Sequence, residues 1–457
     1  MRFCRICTVA LAIVSLAGTA FGQEETRVET LRADGPHPRL LLTAHRLRLL
    51  RRESQRQSLR WNQFHLLMAG KAPMPEAAFA QALYYQVSGN AEAGHQAVAW
   101  ALGSGTDLRQ LALVFDWCQA VLSEAQSKAL AAKLARGIQQ SRRDASVAAV
   151  RSRLLAAVAL YGSFPDVPEK EIEQIVQKWW EGEIVPAIHG GREAVTRDDS
   201  YAVMEILHVV RDNFEIDLRE DAPQFFTDLP MVELLSCYPA PFPAGENDYR
   251  IPAARDTRGE PDLRRASLSR AAELSMVAYD SNAPGSQLLQ GWLMNDHFLL
   301  RGTFGAPYEF LWANPYQPGL SYFQAPLVMH DTVLGRLFVR SSWEESAAWL
   351  GFFSGELQIF HDGGITVLDA MAPAEPLDLG RAVILFGAHA QKFKIEVEGK
   401  GPVFVVGLQP RRNYLIEVDD EELAEGQSDP GGILELDVPH GREVGVRLFL
   451  PVTEPRP

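Results

Sequence analysis

The sequence predicts an α+β protein in which a helical half is followed by a half built from antiparallel sheets. Apolar residues recur at helical spacing from His37 to about Gln224. From about Val333, short alternating runs are separated by turn residues such as those at 429–432. A proline-rich, charged segment at 239–262 interrupts the helical pattern, which returns at 263–292. We therefore expect a helical domain at 23–322 and a sheet domain at 323–457. The segment 239–262 is a boundary segment inside the helical domain.

The first residues have the features of a secretory signal peptide. Arg2 and Arg5 give a basic start, residues 8–21 are apolar and small, and Ala20-Phe21-Gly22 is typical of a cleavage site. We expect residues 1–22 to be removed near Gly22, which predicts a secreted or periplasmic protein. No later stretch has the length and apolarity of a membrane span, so none is expected after signal removal.

The helical half is predicted to consist of paired helices. Thr43 is placed to cap the first helix, and Ser123 with Gln126 has the spacing of a capping box. Further helices are expected at 77–86, 91–102, 108–121, 123–138, 147–161, 170–180 and 201–213. These segments show no fixed sequence period, so a bundle or a ring of helical hairpins is favoured over a repeat array.

The second half is predicted to be a sandwich or stack of antiparallel sheets. Residues 336–343 alternate in the manner of a half-buried strand, 343–347 form a turn, and 348–353 return as an aromatic strand. Further strands are expected at 364–368, 382–386, 392–397, 403–406, 413–418, 432–436 and 444–450. Short turns between them are typical of antiparallel pairing.

Composition restricts the partners. Lys and Arg total 44 against 58 Asp and Glu, which gives a formal charge of −14 and argues against nucleic acid. A locally basic cleft for an anionic sugar polymer remains compatible with that charge. Cys118 and Cys237 stay after signal removal. The sequence is compatible with a disulfide between them, but the apolar helical surroundings of Cys118 favour two buried thiols.

Four segments carry a family resemblance. They are His-Pro-Arg-Leu-Leu-Leu-Thr at 37–43, an Asp-Trp pair at 116–117 before Leu-Ser-Glu-Ala-Gln at 122–126, Gly-Gly-Arg-Glu at 190–193 followed by Tyr201, and Arg-Ser-Ser-Trp at 340–343 followed by Phe-Ser-Gly. In this order they resemble heparinase II/III-like and alginate-lyase-like polysaccharide lyases. The resemblance implies an incomplete α/α toroid followed by stacked antiparallel sheets, with an acidic polysaccharide bound in the groove between them.

The resemblance also implies a chemistry, β-elimination. A base removes the proton beside a sugar carboxylate, a cation neutralises that carboxylate, and an acid protonates the leaving oxygen. On this basis Tyr201 and His361 are the expected proton-transfer groups. Arg192 or Arg197 would neutralise the carboxylate, and Glu193 matches a Glu of the family and would contact the substrate.

The aromatic segment after residue 311 provides two further substrate-binding candidates. Trp312 and Tyr316 lie among prolines and polar residues, where the two domains are expected to meet. Such rings either stack on sugar units or become buried between the domains.

The chain departs from the family pattern in two places. Residues 144–150 lack the Asn-His pair that would neutralise the carboxylate, and a His-x-His-x-Asp segment is reduced to His361-Asp362. His361 and Asp362 are a weak donor set for a structural divalent metal, and no other cofactor is indicated. Three hypotheses follow: a lyase, a glycan-binding protein of the same fold without catalysis, and a toroidal glycoside hydrolase that uses Glu193 and Asp199.

Overall fold

A computed structural model describes residues 35–451 except 164–166, 246, 296–300, 371–374, 388–391, 397–400 and 421. The predicted signal peptide at 1–22 lies outside the described residues. The helices precede the main sheets along the chain, so the predicted α+β class and its order are confirmed.

Fourteen α-helices are present within the described residues. They are α1 Ala44–Gln55, α2 Leu59–Ala69, α3 Ala77–Ser88, α4 Ala91–Leu102, α5 Leu108–Trp117, α6 Glu124–Ser141, α7 Val147–Leu160, α8 Val167–Glu173, α9 Val185–His189, α10 Ser200–Phe214, α11 Pro223–Leu235, α12 Leu263–Tyr279, α13 Pro284–Asn295 and α14 Gly305–Trp312. A π-helical segment, Gln174–Ile184, joins α8 to α9.

The predicted helix starts agree with the structure. The Thr43 side chain accepts a hydrogen bond from the Arg46 amide at 3.3 Å, and Ser123 with Gln126 forms the capping box. Helices α2, α9, α11 and α14 were not predicted as separate elements. Pro230 lies inside α11 and Pro307 inside the first turns of α14, and proline weakens a helical pattern in sequence.

Six helices contact one another in a closed order. Contacts run from α3 to α5, α7, α10, α12 and α14, and α14 contacts α3 again. Side chains that point inward from these helices therefore meet across a common centre. This arrangement brings residues that are far apart in sequence into one buried region.

Two segments that carry the family resemblance are bonded to each other. The Asp116 carboxylate accepts hydrogen bonds from the amides of Arg39 and Leu40, each at 2.9 Å, and lies 2.5 Å from the His37 ring. The Trp117 indole donates to the Leu40 carbonyl at 2.9 Å. The Asp-Trp pair thus fixes the strap of residues 37–42 against α5, which is a structural role.

The strands are β1 Phe242–Ala244, β2 Asn247–Tyr249, β3 Val328–Asp331, β4 Arg336–Arg340, β5 Trp349–Phe353, β6 Glu356–His361, β7 Gly364–Leu368, β8 Leu377–Asp378, β9 Val383–Phe386, β10 Lys392–Glu396, β11 Val403–Val406, β12 Asn413–Val418, β13 Glu422–Gln427, β14 Leu434–Leu436 and β15 Glu443–Phe449. The three larger sheets have the orders β3-β4-β5-β6-β7, β14-β11-β9-β8 and β10-β15-β12-β13. The small sheet β1-β2 lies in the proline-rich segment.

The predicted hairpin at 336–353 is confirmed, with Arg340 paired to Trp349 across β4 and β5. The expectation of wholly antiparallel sheets is wrong at one place, because β9 and β11 pair in parallel. Both strands are buried along their whole length. A continuous apolar run of this kind carries no alternation from which the strand direction can be inferred.

The sheets are stacked behind the helices in layers. Phe338 and Trp349 of the five-stranded sheet belong to the helical core, whereas Leu337 and Val339 of the same sheet pack with Ile384 of the next sheet. A second apolar layer joins that sheet to the sheet containing β15. The surface between the helices and the five-stranded sheet is therefore the contact between the two halves.

Cys118 and Cys237 are buried free thiols, as the apolar surroundings of Cys118 indicated. Burial raises the pKa of the Cys118 thiol to about 12. In the described part of the chain, none of the helices combines the length and the apolar character needed to cross a bilayer.

Candidate functional site

A cavity of about 310 Å³ lies where the helical half meets the five-stranded sheet. Its walls come from the loop before α10, from α11, from the segment around Ala254 with the start of α12, and from β4 and β5. We call this cavity the interface cleft. Ligand sites commonly occur between domains and have volumes of about 300–1,000 Å³.

The interface cleft is more basic than the chain as a whole. Its charged lining residues are four arginines and three carboxylates: Arg197, Arg255, Arg265, Arg336, Glu193, Asp198 and Glu233. Their formal sum is +1, in a chain whose net charge is −14. The lining is therefore rich in arginine, although three of the four arginines also contact acids outside it: Arg197 contacts Glu273, Arg336 contacts Asp331 and Arg255 contacts Glu356.

Arg197, predicted from sequence, is part of the buried wall of this cleft. Its guanidinium lies 3.0 Å from the Glu233 carboxylate and 3.2 Å from that of Glu273, and it donates to the Ser269 hydroxyl at 2.9 Å. Burial alone would lower the pKa of Arg197, but the neighbouring Glu233 and Glu273 outweigh it and the pKa is raised. Arg197 is thus a fixed, fully charged group with its donors already engaged.

Glu193, also predicted, connects the two halves at the cleft. Its carboxylate lies 3.6 Å from the Arg336 guanidinium on β4 and accepts a hydrogen bond from the Ser354 hydroxyl at 3.3 Å. Arg336 is held more closely by Asp331, at 2.7 Å. Glu193 therefore makes two long contacts to a sheet whose arginine is already oriented by another acid.

Arg265 and Arg255, the other two arginines of the interface cleft, differ in how firmly their side chains are held. Arg265 pairs with Asp198 and donates to the carbonyls of Pro252 at 2.9 Å and Ala253 at 3.3 Å. The Arg255 side chain is 70 % exposed and lies 3.6 Å from Glu356. Because solvent weakens such a long contact, Arg255 is the cleft arginine most able to exchange its partner for a ligand anion.

An aromatic pair forms part of the sheet wall. The rings of Phe338 and Phe353 are 6.0 Å apart at an interplanar angle of 28°. Phe338 is buried and Phe353 is half-buried. An apolar surface beside arginines suits a ligand with both a hydrophobic face and a negative charge.

Tyr201 lies in a separate buried cluster at the centre of the six helices. Its hydroxyl donates to Glu205 at 2.8 Å, and the Arg109 guanidinium contacts that carboxylate at 2.6 Å and the phenol oxygen at 3.4 Å. Arg151 approaches the other Glu205 oxygen at 2.5 Å. We call Arg109, Arg151, Tyr201 and Glu205 the ring-centre cluster.

The charge environment of this cluster opposes ionisation of the phenol. Burial and the adjacent Glu205 carboxylate raise the pKa of Tyr201 well above its ordinary value, although Arg109 acts in the other direction. Burial would likewise raise the pKa of Glu205, but Arg109 and Arg151 outweigh it and lower that pKa to about 2. The cluster therefore holds a neutral tyrosine beside a charged carboxylate.

Trp312 is brought to Tyr201 rather than to the surface. Its indole donates to the Tyr201 hydroxyl at 3.0 Å, and the Arg46 guanidinium lies 4.1 Å from the centre of its ring. Only 2 % of Trp312 is exposed. Of the two roles open from sequence, stacking on sugar or burial, the structure places Trp312 in a buried contact.

The other predicted residues lie elsewhere. His361 ends β6, is 67 % exposed, and its ring lies 3.1 Å from the Asp362 carboxylate. Arg192 is exposed, with its amide bonded to the Ala187 carbonyl at 2.8 Å, and Tyr316 is 58 % exposed. Neither His361, Arg192 nor Tyr316 lines the interface cleft or bonds to Tyr201 among the described contacts.

The structure joins predicted residues in two groups only. Arg197 and Glu193 line the same cleft, while Tyr201 and Trp312 share the ring-centre cluster. Sequence reasoning did not identify Glu205 or Arg109. A signal for Glu205 was present, because it is an acid within the apolar first part of its helix, four residues after Tyr201 and on the same helical face.

Metal binding receives no support in the part of the chain that the structure describes. There, no group of three or more His, Cys, Asp or Glu residues is arranged to hold an ion. His361 and Asp362 are adjacent, exposed neighbours, and two donors fall short of the four that a structural zinc site uses.

No protein-family model matches the chain, and no curated protein is similar in sequence. One solved structure, titled "Glycoside hydrolase", is similar over 86 % of this chain and 73 % of its own, at 11 % identity and a TM-score of 0.28. A likeness of that strength identifies neither a family nor a shared active site.

Proposed function

We propose that this protein binds an acidic glycan in the interface cleft and does not cleave it by β-elimination. The observation that carries the proposal is the local concentration of arginines beside an apolar wall in a strongly acidic chain. Arginine recognises carboxylate and sulfate through paired donors, and an apolar wall suits the less polar face of a sugar ring.

The proposal assigns the chain the architecture of the heparinase II/III-like proteins that its sequence resembles. The closed contact order of six helices supports a toroid, and the stacked sheets behind it support the sheet domain that the resemblance implies. The division at residues 322 and 323 remains our prediction. A cleft between these two parts is where the resemblance implies that the polysaccharide binds.

The surroundings of the predicted catalytic residues favour binding over elimination. A base must ionise and must reach the substrate, whereas Tyr201 is 4 % exposed and its pKa is raised. His361 contacts Asp362, and no described contact joins it to Tyr201. The surroundings of Tyr201 and His361 therefore do not favour the elimination mechanism that the sequence resemblance implies.

Hydrolysis by Glu193 and Asp199 is also unsupported by the local contacts. Glu193 is engaged by Arg336 and Ser354, and Asp199 accepts hydrogen bonds from its neighbour Thr196 at 2.7 and 3.1 Å. Asp199 is absent from the lining of the interface cleft. A capping role explains Asp199 fully.

The test is a binding assay on a panel of alginate-type, heparin-type and hyaluronan-type polymers. We expect retention of the protein in affinity electrophoresis, and about fivefold weaker binding for Arg255→Gln, since an exposed charge contact contributes about 1 kcal/mol. Arg48→Gln, an exposed change on α1 away from the cleft, is the matched control.

Two outcomes would contradict the proposal. If no polymer of the panel binds, the protein does not bind acidic glycans. If Arg255→Gln binds with the same affinity as the native protein, the interface cleft is not the binding site. A rise in ultraviolet absorbance from unsaturated sugar ends, lost in Tyr201→Phe, would instead establish β-elimination.

A further inference from the structure

A second cavity lies directly beside the interface cleft. Its volume is about 430 Å³, and it lies between the proline-rich segment and the hairpin of β6 and β7. Ala254 and Arg265 line both cavities, so the two spaces are separated by a wall only a few residues thick. A chain-like ligand in one cavity is therefore close to the other.

The wall is fixed at several points. Arg265 donates to the carbonyls of Pro252 and Ala253, at 2.9 and 3.3 Å, and the Gln358 side chain of β6 donates to the Ala254 carbonyl at 2.8 Å. Because both helix α12 and strand β6 hold this segment, the two cavities have a set spacing. A set spacing is what recognition of successive units in a polymer requires.

The second cavity differs from the interface cleft in chemistry. Its charged lining residues are Arg258, Arg265, Asp256, Glu260 and Asp262, with a formal sum of −1, whereas the interface cleft sums to +1. Its apolar lining includes Phe242, Phe360 and Ile365. Asp256 already accepts from the Arg258 guanidinium at 2.9 Å, and Asp262 accepts from the Arg264 amide at 2.9 Å. The exposed Glu260 carboxylate is the one placed to accept from sugar hydroxyls, and it repels a second sugar carboxylate or sulfate.

We propose that the second cavity is a subsite for a neutral sugar unit of the same glycan whose acidic unit occupies the interface cleft. The inference rests on the proposed function and deepens it, because it adds a second position and a chemical preference to that site. The preferred ligand then carries an acidic unit next to an uncharged one, and a polymer of uronic acids alone fits less well.

A substitution on β7 tests the subsite. Ile365 lines the second cavity, and Val367 lies on the same face of the same strand outside its lining. Both side chains are partly exposed, at 36 % and 44 %, and tryptophan suits a strand, so both variants are expected to fold. Ile365→Trp fills the cavity, and Val367→Trp is the matched control.

The measurement is calorimetric binding of a disaccharide of two uronate units, which has no neutral unit for the second cavity, and of a tetrasaccharide in which uronate and neutral units alternate. In the native protein we expect the tetrasaccharide to bind about tenfold more tightly than the disaccharide, because its neutral unit makes additional contacts in the second cavity. Ile365→Trp should abolish this gain and leave disaccharide affinity unchanged. Val367→Trp should retain both.

A second arm tests the chemical preference. A tetrasaccharide of uronate units alone should bind the native protein about tenfold more weakly than the alternating one. Glu260→Lys, which replaces a rim carboxylate by a cation, should narrow that difference. Equal affinities for the two tetrasaccharides in the native protein would contradict a neutral subsite.

The failures are distinguishable. If the native protein binds no acidic oligosaccharide, the proposed function is wrong and the subsite is wrong with it. If it binds the disaccharide but gains nothing from the tetrasaccharide, or if Ile365→Trp keeps the gain, only the subsite is wrong. If Val367→Trp loses the gain as well, the effect belongs to the strand and not to the cavity, which also overturns the subsite.

Discussion

At the scale of single residues, Glu205 has no exposed surface and is held between the guanidinium groups of Arg109 and Arg151. Removing this carboxylate would leave Arg109 buried without its main counter-charge. We expect Glu205→Ala to lower the free energy of unfolding by about 3–5 kcal/mol, measured by urea denaturation. Glu124→Ala, which breaks an exposed pair with Lys128, should cost less than about 1 kcal/mol. Equal losses would contradict the assignment.

The same carboxylate predicts a pH dependence. Arg109 and Arg151, opposed by burial, lower the pKa of Glu205 from 4.5 to about 2. A group whose pKa is lower in the folded state stabilises the fold above its unfolded pKa, and that stabilisation is lost as the pH falls. Between pH 5 and about 2, the free energy of unfolding should fall more steeply in the native protein than in Glu205→Gln. Parallel slopes would contradict this prediction.

Arg340, from the Arg-Ser-Ser-Trp segment, is buried on β4, and neither of its terminal guanidinium nitrogens has a hydrogen-bond partner among the described residues. Burial lowers its pKa to about 10. An unpaired buried charge is costly. We therefore expect Arg340→Met to leave the free energy of unfolding within about 1 kcal/mol of the native value, or to raise it. Arg153→Met, which breaks a buried pair with Glu171 at 2.9 Å, should lose about 3 kcal/mol. A comparable loss in Arg340→Met would show a structural role for its charge.

At the scale of elements, the strap at 37–42 depends on one carboxylate. Asp116 accepts from the amides of Arg39 and Leu40, and its loss would leave a buried amide without a partner. Asp116→Ala should cost about 3 kcal/mol and should speed hydrogen exchange at these two amides. Asp107→Ala, which removes only the cap of α5, should cost about 1 kcal/mol. An unchanged hydrogen-exchange rate at the Leu40 amide would show that Asp116 does not hold the strap.

Elements were predictable from sequence where a local signal decides the conformation. Thr43 and Ser123 cap helices because a side-chain oxygen meets an amide three residues on, which needs no distant partner. The direction of β9 against β11 was not predictable, because both strands are buried on both faces. Helix α11 was missed because tertiary packing maintains it around Pro230, against its local preference.

The candidate site was predictable only in part for a similar reason. Arg197 and Glu193 stand near a recognisable segment, and both line the interface cleft. Arg265 and Arg336 come from α12 and β4, and only the packing of the two halves brings them there. A sequence motif identifies one wall of such a cleft, while the opposite wall depends on the fold.

At the scale of the whole molecule, the charge distribution sets the binding kinetics that we propose. A net charge of −14 repels a polyanion at long range, while the arginines of the interface cleft attract it at short range. The Debye length falls from about 30 Å at 0.01 M salt to about 10 Å at 0.1 M. The association rate should therefore rise between these salt concentrations, measured by stopped-flow fluorescence. An association rate that falls with salt would indicate that the cleft dominates at all distances.

The position of β15 between β10 and β12 has a consequence for biosynthesis. Neither β10 nor β12 can complete its ladder until a strand at 443–449 has emerged from the ribosome, whereas the contacts among the six helices are all made by residues up to 312. Translation thus favours an order in which the helices assemble early and the outermost sheet waits, with two strand edges exposed to wrong pairing in the interval.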